Sequence, residues 1–81
     1  MGLGSLLNLG PRSEQWLTAV GITTYDELER LGSVQAYLRV REVFPAASAN
    51  LLYALEGALL DVRWDLLPVE LRDRLRHAAG R

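Results

Sequence analysis

The chain has 81 residues, 49% of them apolar, and a formal net charge of −1, which makes one domain with material for a single core. It carries no cysteine and one histidine, His77, so disulfides, thiolate zinc sites and a histidine-based metal cluster are excluded. No apolar run approaches the roughly 20 residues of a membrane span, and Met1-Gly2-Leu3-Gly4-Ser5 lacks the positive region of a secretory signal, so a cytoplasmic location is expected.

Leu3 to Asn8 reads as a short first helix. Pro11 suits the first turn of a second, where its missing N–H costs nothing. Ser13, Trp16, Leu17 and Val20 then share a face, and Gly21 closes that helix. Thr24-Tyr25-Asp26-Glu27 is a capping-box sequence, in which the hydroxyl and the glutamate each satisfy an end amide. It opens a third helix with Tyr25, Leu28 and Leu31 inward and Gly32 as its stop. Ser33 is placed to cap a fourth, carrying Val34, Tyr37, Leu38 and Phe44, which Pro45 keeps from continuing.

From Ser48 onward, Ala49-Asn50-Leu51-Leu52-Tyr53-Ala54-Leu55-Glu56-Gly57-Ala58-Leu59-Leu60 is the most apolar segment. Its stripe of Leu51, Leu52, Leu55, Ala58 and Leu59 predicts the central core helix. Gly57 costs that helix roughly 1 kcal/mol against alanine, which predicts a close crossing with another helix. Asn50 reads as a first-turn hydrogen-bonding residue. Pro68 begins a last helix with Leu71, Leu75 and Ala78 on one side. Nothing alternates apolar and polar residues long enough for a strand. The expectation is an all-α fold: a compact bundle of five or six short helices, forming a single domain over residues 1–81.

The run Leu7-Asn8-Leu9-Gly10-Pro11-Arg12-Ser13 has the pattern of a helix-hairpin-helix tip. Asn8 and Gly10 flank Leu9, and both tolerate left-handed backbone, glycine far better. Leu9 would tuck inward and pin the loop. Beyond Gly10, the amides opening the second helix and its dipole favour an anion, while Arg12 and Ser13 add a charge and a hydroxyl. Asn8, Gly10, Arg12 and Ser13 are therefore candidate contacts with the backbone of double-stranded DNA, weak, sequence-independent and salt-sensitive. Asn8 stands where the usual hairpin has its first glycine, and Glu14 adds a negative charge one turn on. A tight αα-corner that binds nothing is the alternative. The net charge also counts against a strong nucleic-acid binder.

The last helix holds the one basic cluster. Arg72 and Arg76 share a face and are the candidate second phosphate surface, with Arg74 and His77 pointing elsewhere. Glu70 and Arg74, and Asp73 and His77, are spaced to pair at i,i+4. The blander reading is a solvated helix end matched to its dipole. Trp16 and Trp64 have apolar neighbours at helical spacing and read as core before base-stacking platforms. Glu56 reads as a residue that caps a neighbouring helix or pairs with an arginine. With no nucleophile–base pair, metal-ligand spacing or nucleotide loop, neither enzyme activity nor a cofactor is expected.

Leu9-Gly10-Pro11-Arg12-Ser13-Glu14-Gln15-Trp16-Leu17, then Val20-Gly21-Ile22 and Leu28, and later Asn50-Leu51-Leu52-Tyr53-Ala54-Leu55-Glu56-Gly57-Ala58-Leu59 resemble the C-terminal domain of TfoX/Sxy proteins. The resemblance spans nearly the whole chain. It implies a helix-hairpin-helix-like domain from regulators of competence for DNA transformation, which act with the cyclic-AMP receptor protein at competence promoters. Those regulators carry an N-terminal α/β domain that this sequence does not include, and the start at Met1 suggests a stand-alone version. The functional expectation is a non-enzymatic regulatory domain touching DNA backbone. The alternative is a protein–protein interaction module that assists a transcription regulator without touching DNA.

Overall fold

The computed structural model describes residues 3–80, so the reading of the Met1 start lies outside it. Four α-helices follow one another: α1 (Pro11–Ala19), α2 (Tyr25–Val43), α3 (Ala49–Leu60) and α4 (Val69–Ala78). Short 3₁₀ turns stand at Leu3–Ser5 and Trp64–Leu66, and no strand occurs among the described residues. The all-α expectation holds, but the count of five or six helices does not. The first expected helix is only the three-residue turn Leu3–Ser5. The expected third and fourth helices run on as one element, α2, broken in its path at Gly32 (φ 81°, ψ 164°). Glycine alone adopts that positive φ without strain.

Burial explains the order of the layers. In α3, Leu51 to Leu55 are all buried, and so are Gly57 and Ala58. This helix is surrounded, and α2 is its main partner. From α2 come Leu28, Ala36, Tyr37 and Val40, all fully buried, and from α1 Leu17. Removing a side chain such as Leu52 or Leu55 from water contributes about 1.5–3 kcal/mol each. Tyr37 keeps its hydroxyl satisfied inside the core by donating to the carbonyl of Ala47 at 3.1 Å. Two inward assignments fail at helix ends: Tyr25 and Ala78 are exposed, and Ala79 is buried in place of Ala78. Tyr25 still donates to the Leu59 carbonyl at 3.4 Å, so it lies along α3 rather than in the core.

The stops are those the residues dictate. Gly21 takes φ 85° and Ile22 N–H donates to Leu17 O at 2.9 Å, while Gly21 N–H donates to Thr18 O. This is the Schellman closure of α1, with Ile22 buried behind it. α3 closes the same way on a residue that is not glycine: Asp61 has φ 57°, and Val62 N–H donates to Gly57 O at 2.8 Å. Among the described residues, no helix is long and apolar enough to cross a membrane.

Candidate functional site

Helix starts expose N–H groups that need acceptors. α2 supplies its own: Glu27 N–H donates to Thr24 Oγ1 at 3.2 Å. The Glu27 carboxylate in turn accepts from the Thr23 N–H at 3.2 Å and from the hydroxyls of Thr23 and Thr24. These bonds, first the Thr23 hydroxyl, hold the Glu27 carboxyl below its ordinary pKa of 4.5. α1 has no such device. Its N-cap is Gly10, its first residue Pro11, and no side chain caps it. α3, whose N-cap is Ser48, also starts without a side-chain cap.

The uncapped starts of α1 and α3 open onto one cleft of about 380 Å³. Asn8, Arg12, Ser13 and Trp16 line it from the α1 side, Ser48 and Asn50 from the α3 side, and Trp64 from the loop that follows α3. The structure thus brings together three of the tip residues expected to act as one. Gly10 caps the helix beside them without lining the cleft.

The tip is built differently from the expectation. The left-handed residue is Asn8, with φ 73°. Gly10 is extended, at φ −112° and ψ −172°, and a Cβ added there meets nothing within 4 Å. Leu9 between them is buried as expected. The polar atoms of the Asn8 side chain are taken up within the fold. Its Nδ2 donates to the Val62 carbonyl at 2.8 Å, and its Oδ1 accepts from the Trp64 N–H at 3.0 Å. Asn8 is a staple between the tip and the loop after α3. Gly57 is the floor under that staple: a Cβ there would overlap the Asn8 amide and stand 2.5 Å from the Val62 carbonyl oxygen. The close approach expected at Gly57 is real, but a loop and an asparagine make it, not a helix. Glu14 is also occupied, its carboxylate accepting the Gly4 N–H at 3.1 Å.

Both tryptophans sit half-buried against the core, each in a stack with a cation at one end. Arg12 lies 5.6 Å over Trp16, whose ring stacks on Phe44 at 5.4 Å. Arg72 lies 6.0 Å over Tyr53, whose ring stacks on Trp64 at 6.5 Å. Such contacts hold a guanidinium in place with about 0.5–1 kcal/mol at exposed sites.

Arg72 and Arg76 do share a face, as expected, and line a smaller pocket of about 250 Å³ with Tyr53, Val69 and Asp73. The expected partners are not the ones found: Asp73 pairs with Arg76, at i,i+3, instead of with His77. That bond raises the Arg76 pKa further above its ordinary value. Arg72 and Arg76 line a different pocket from the tip cleft, and the Tyr53–Trp64 stack runs between the two. Glu56 has a structural partner, accepting from the buried Ser33 hydroxyl at 2.8 Å just after the break in α2. Ser33 thus ties α2 to α3. Among the described residues, no three histidine, aspartate or glutamate side chains gather as a metal set.

Of these arrangements, sequence reasoning missed the staple at Asn8, the part played by Trp64 and Ser48 in the cleft, and the Arg72–Tyr53 stack. Gly57 was the one signal available for the staple, since a glycine amid leucines marks a close approach.

Two solved structures from Listeria monocytogenes are similar to this chain over nearly its full length. One, a crystal structure of an uncharacterized protein in a triclinic form, is 38% identical, with a TM-score of 0.89 over 94% of this chain and 86% of that one. The other, described as a protein of unknown function in a tetragonal form, is 37% identical, with a TM-score of 0.90 over 96% of both chains. No curated protein matches. Residues 2–79 match the TfoX C-terminal domain, and the chain belongs to that family.

Proposed function

We propose that this chain is a non-enzymatic regulatory domain of the competence-regulator type, acting in the cytoplasm, which meets the backbone of double-stranded DNA through the start of α1. One observation carries the reading: α1 begins at Gly10 with no side-chain cap, and Arg12 and Ser13 share a cleft beside it. A phosphate there would accept from end amides, gain from the helix dipole and meet the Arg12 guanidinium. The turn from Leu6 to Gly10 then serves as a helix-hairpin-helix-like tip whose first arm is shortened to a 3₁₀ turn. Nothing in this contact reads bases, so binding is sequence-independent and fades with salt. Arg76 is spent on Asp73 and Arg72 is turned over Tyr53, which leaves both outside the contact. A titration of duplex DNA at low ionic strength, comparing wild type with Gly10→Glu and Arg12→Glu, tests it. Both variants are expected to lose most of the affinity; equal affinities for all three overturn the mechanism.

A second reading, a module that binds a transcription regulator, is favoured by apolar side chains left in water beside α4: Leu66 is 66% exposed and Val69 58%. Recovery of a regulator by the immobilised domain, unchanged by nuclease, would support that reading over DNA contact.

A further inference from the structure

The pocket on α4 has chemistry of its own. Val69, Arg72, Asp73 and Arg76 stand at i, i+3, i+4 and i+7 along one side of the helix, and Tyr53 of α3 supplies the floor. Arg72 Nε is shut off from solvent and, among the described residues, has no hydrogen-bond partner. A buried donor left without a partner is unfavourable, more so on a charged group, so Arg72 is better satisfied with an acceptor beside its guanidinium than without one. The pocket holds two guanidinium groups and one carboxylate, Asp73, which is paired with Arg76. One positive charge, that of Arg72, is left to be met.

Resting on the second reading above, we propose that this pocket captures a single carboxylate, from an aspartate or glutamate side chain in an acidic, apolar segment of a protein partner. A flat carboxylate matches the Nε and terminal nitrogen of one guanidinium side-on, as two parallel bonds. It meets the terminal nitrogens first, and a turn of the guanidinium above the Tyr53 ring then brings the Nε–H round to donate the second hydrogen bond. Apolar neighbours on the partner would cover Val69 at the pocket edge and Leu66 before it. A duplex backbone suits the pocket poorly. Its closely spaced phosphates would meet Asp73 and leave Val69 and Leu66 against polar surface.

Nitrogen–proton correlation spectra of the whole chain resolve arginine Nε–H groups and test this directly. The probe is a short synthetic peptide with one glutamate flanked by leucine and neutral polar residues, with inorganic phosphate and a DNA duplex titrated separately at matched ionic strength. A saturable shift of the Arg72 Nε–H signal with the peptide is expected, with a much smaller one from phosphate or duplex. Arg72→Lys keeps the charge and loses the fork, so peptide affinity should fall by about tenfold while the amide spectrum stays folded. No shift with the peptide, an equal shift with the duplex, or full affinity in Arg72→Lys would each overturn the proposal. If the peptide fails while a regulator is still recovered after nuclease, the pocket assignment is wrong and the protein-module reading stands. If the peptide binds at Arg72 and no regulator is recovered, the reading fails and the pocket remains.

Discussion

The starts of α1 and α2 face the same physical problem and meet it in opposite ways. At α2 the Thr24 hydroxyl and the Glu27 carboxylate close the end, and all of these contacts come from three near neighbours, Thr23, Thr24 and Glu27. At α1 the end amides have no local side-chain acceptor. The order of that tip comes instead from Asn8, which reaches across the fold to Val62 and Trp64. A closed helix end is finished structurally and offers little to an anion. An open one, held in shape from a distance, remains available to a phosphate. Local capping serves stability, and an open end is what the proposed phosphate contact requires.

The largest break in this contrast should come from Gly57→Ala. The new methyl would displace both the Asn8 amide and the Val62 carbonyl, at a cost of about 2–3 kcal/mol by analogy with overpacked cores. Urea unfolding would read that loss, and amide exchange should show the α1 tip loosened while the Thr24 end of α2 stays protected. Asn8→Ala comes next. It removes both staple bonds and asks alanine to hold a left-handed backbone, together about 2 kcal/mol. Asn8→Gly should cost less, because only the bonds are lost; equal effects in urea would mean that backbone strain plays no part.

The two ends can then be exchanged. Thr24→Ala should cost about 1 kcal/mol as the cap of α2 is lost. Gly10→Ser should change stability by only a few tenths of a kcal/mol, because an extended N-cap accepts either residue and nothing crowds a Cβ there. It would nevertheless supply α1 with its missing cap and weaken duplex binding, measured in the same low-salt titration. Unchanged binding by Gly10→Ser would say that the end amides are not the contact. The smallest effect is in pH. Glu27 has its pKa lowered on folding, so its contribution is present above its ordinary value of 4.5 and is lost as pH falls through the lower folded value. Amide exchange at the start of α2 should quicken below that range, with no matching change at the α1 tip.

What could be read in the chain divides along the same line. The capping box at Thr24, the proline start at Pro11, the glycine stop at Gly21 and the apolar stripe of α3 depend on residues within a turn or two of each other. Sequence spacing reports them directly. The break at Gly32 was legible as a stop, but whether α2 resumes in line depends on its packing against α3. The Ser33–Glu56 bond that ties them crosses 23 positions. The tip was legible as an exposed turn with Arg12 and Ser13 beside an open helix end. The assignment of left-handed backbone to Asn8 alone, and its side chain to the loop beyond α3, was not, because no local pattern points 54 positions ahead. Asp73 likewise had two candidate partners further along α4, at i+3 and i+4, and spacing alone could not choose Arg76 over His77.

The Asn8 staple also sets an order of events. Bonds from residue 8 to residues 62 and 64 span 54 and 56 positions, so the loop they close is most of the chain. Closing a long loop is slow relative to forming a helix and must wait for both ends to exist. During synthesis, the first residues emerge early, yet the tip they form cannot be locked until the segment after α3 has followed them out. The open start of α1 is therefore made before the rest of the bundle and is among the last parts to take its final shape.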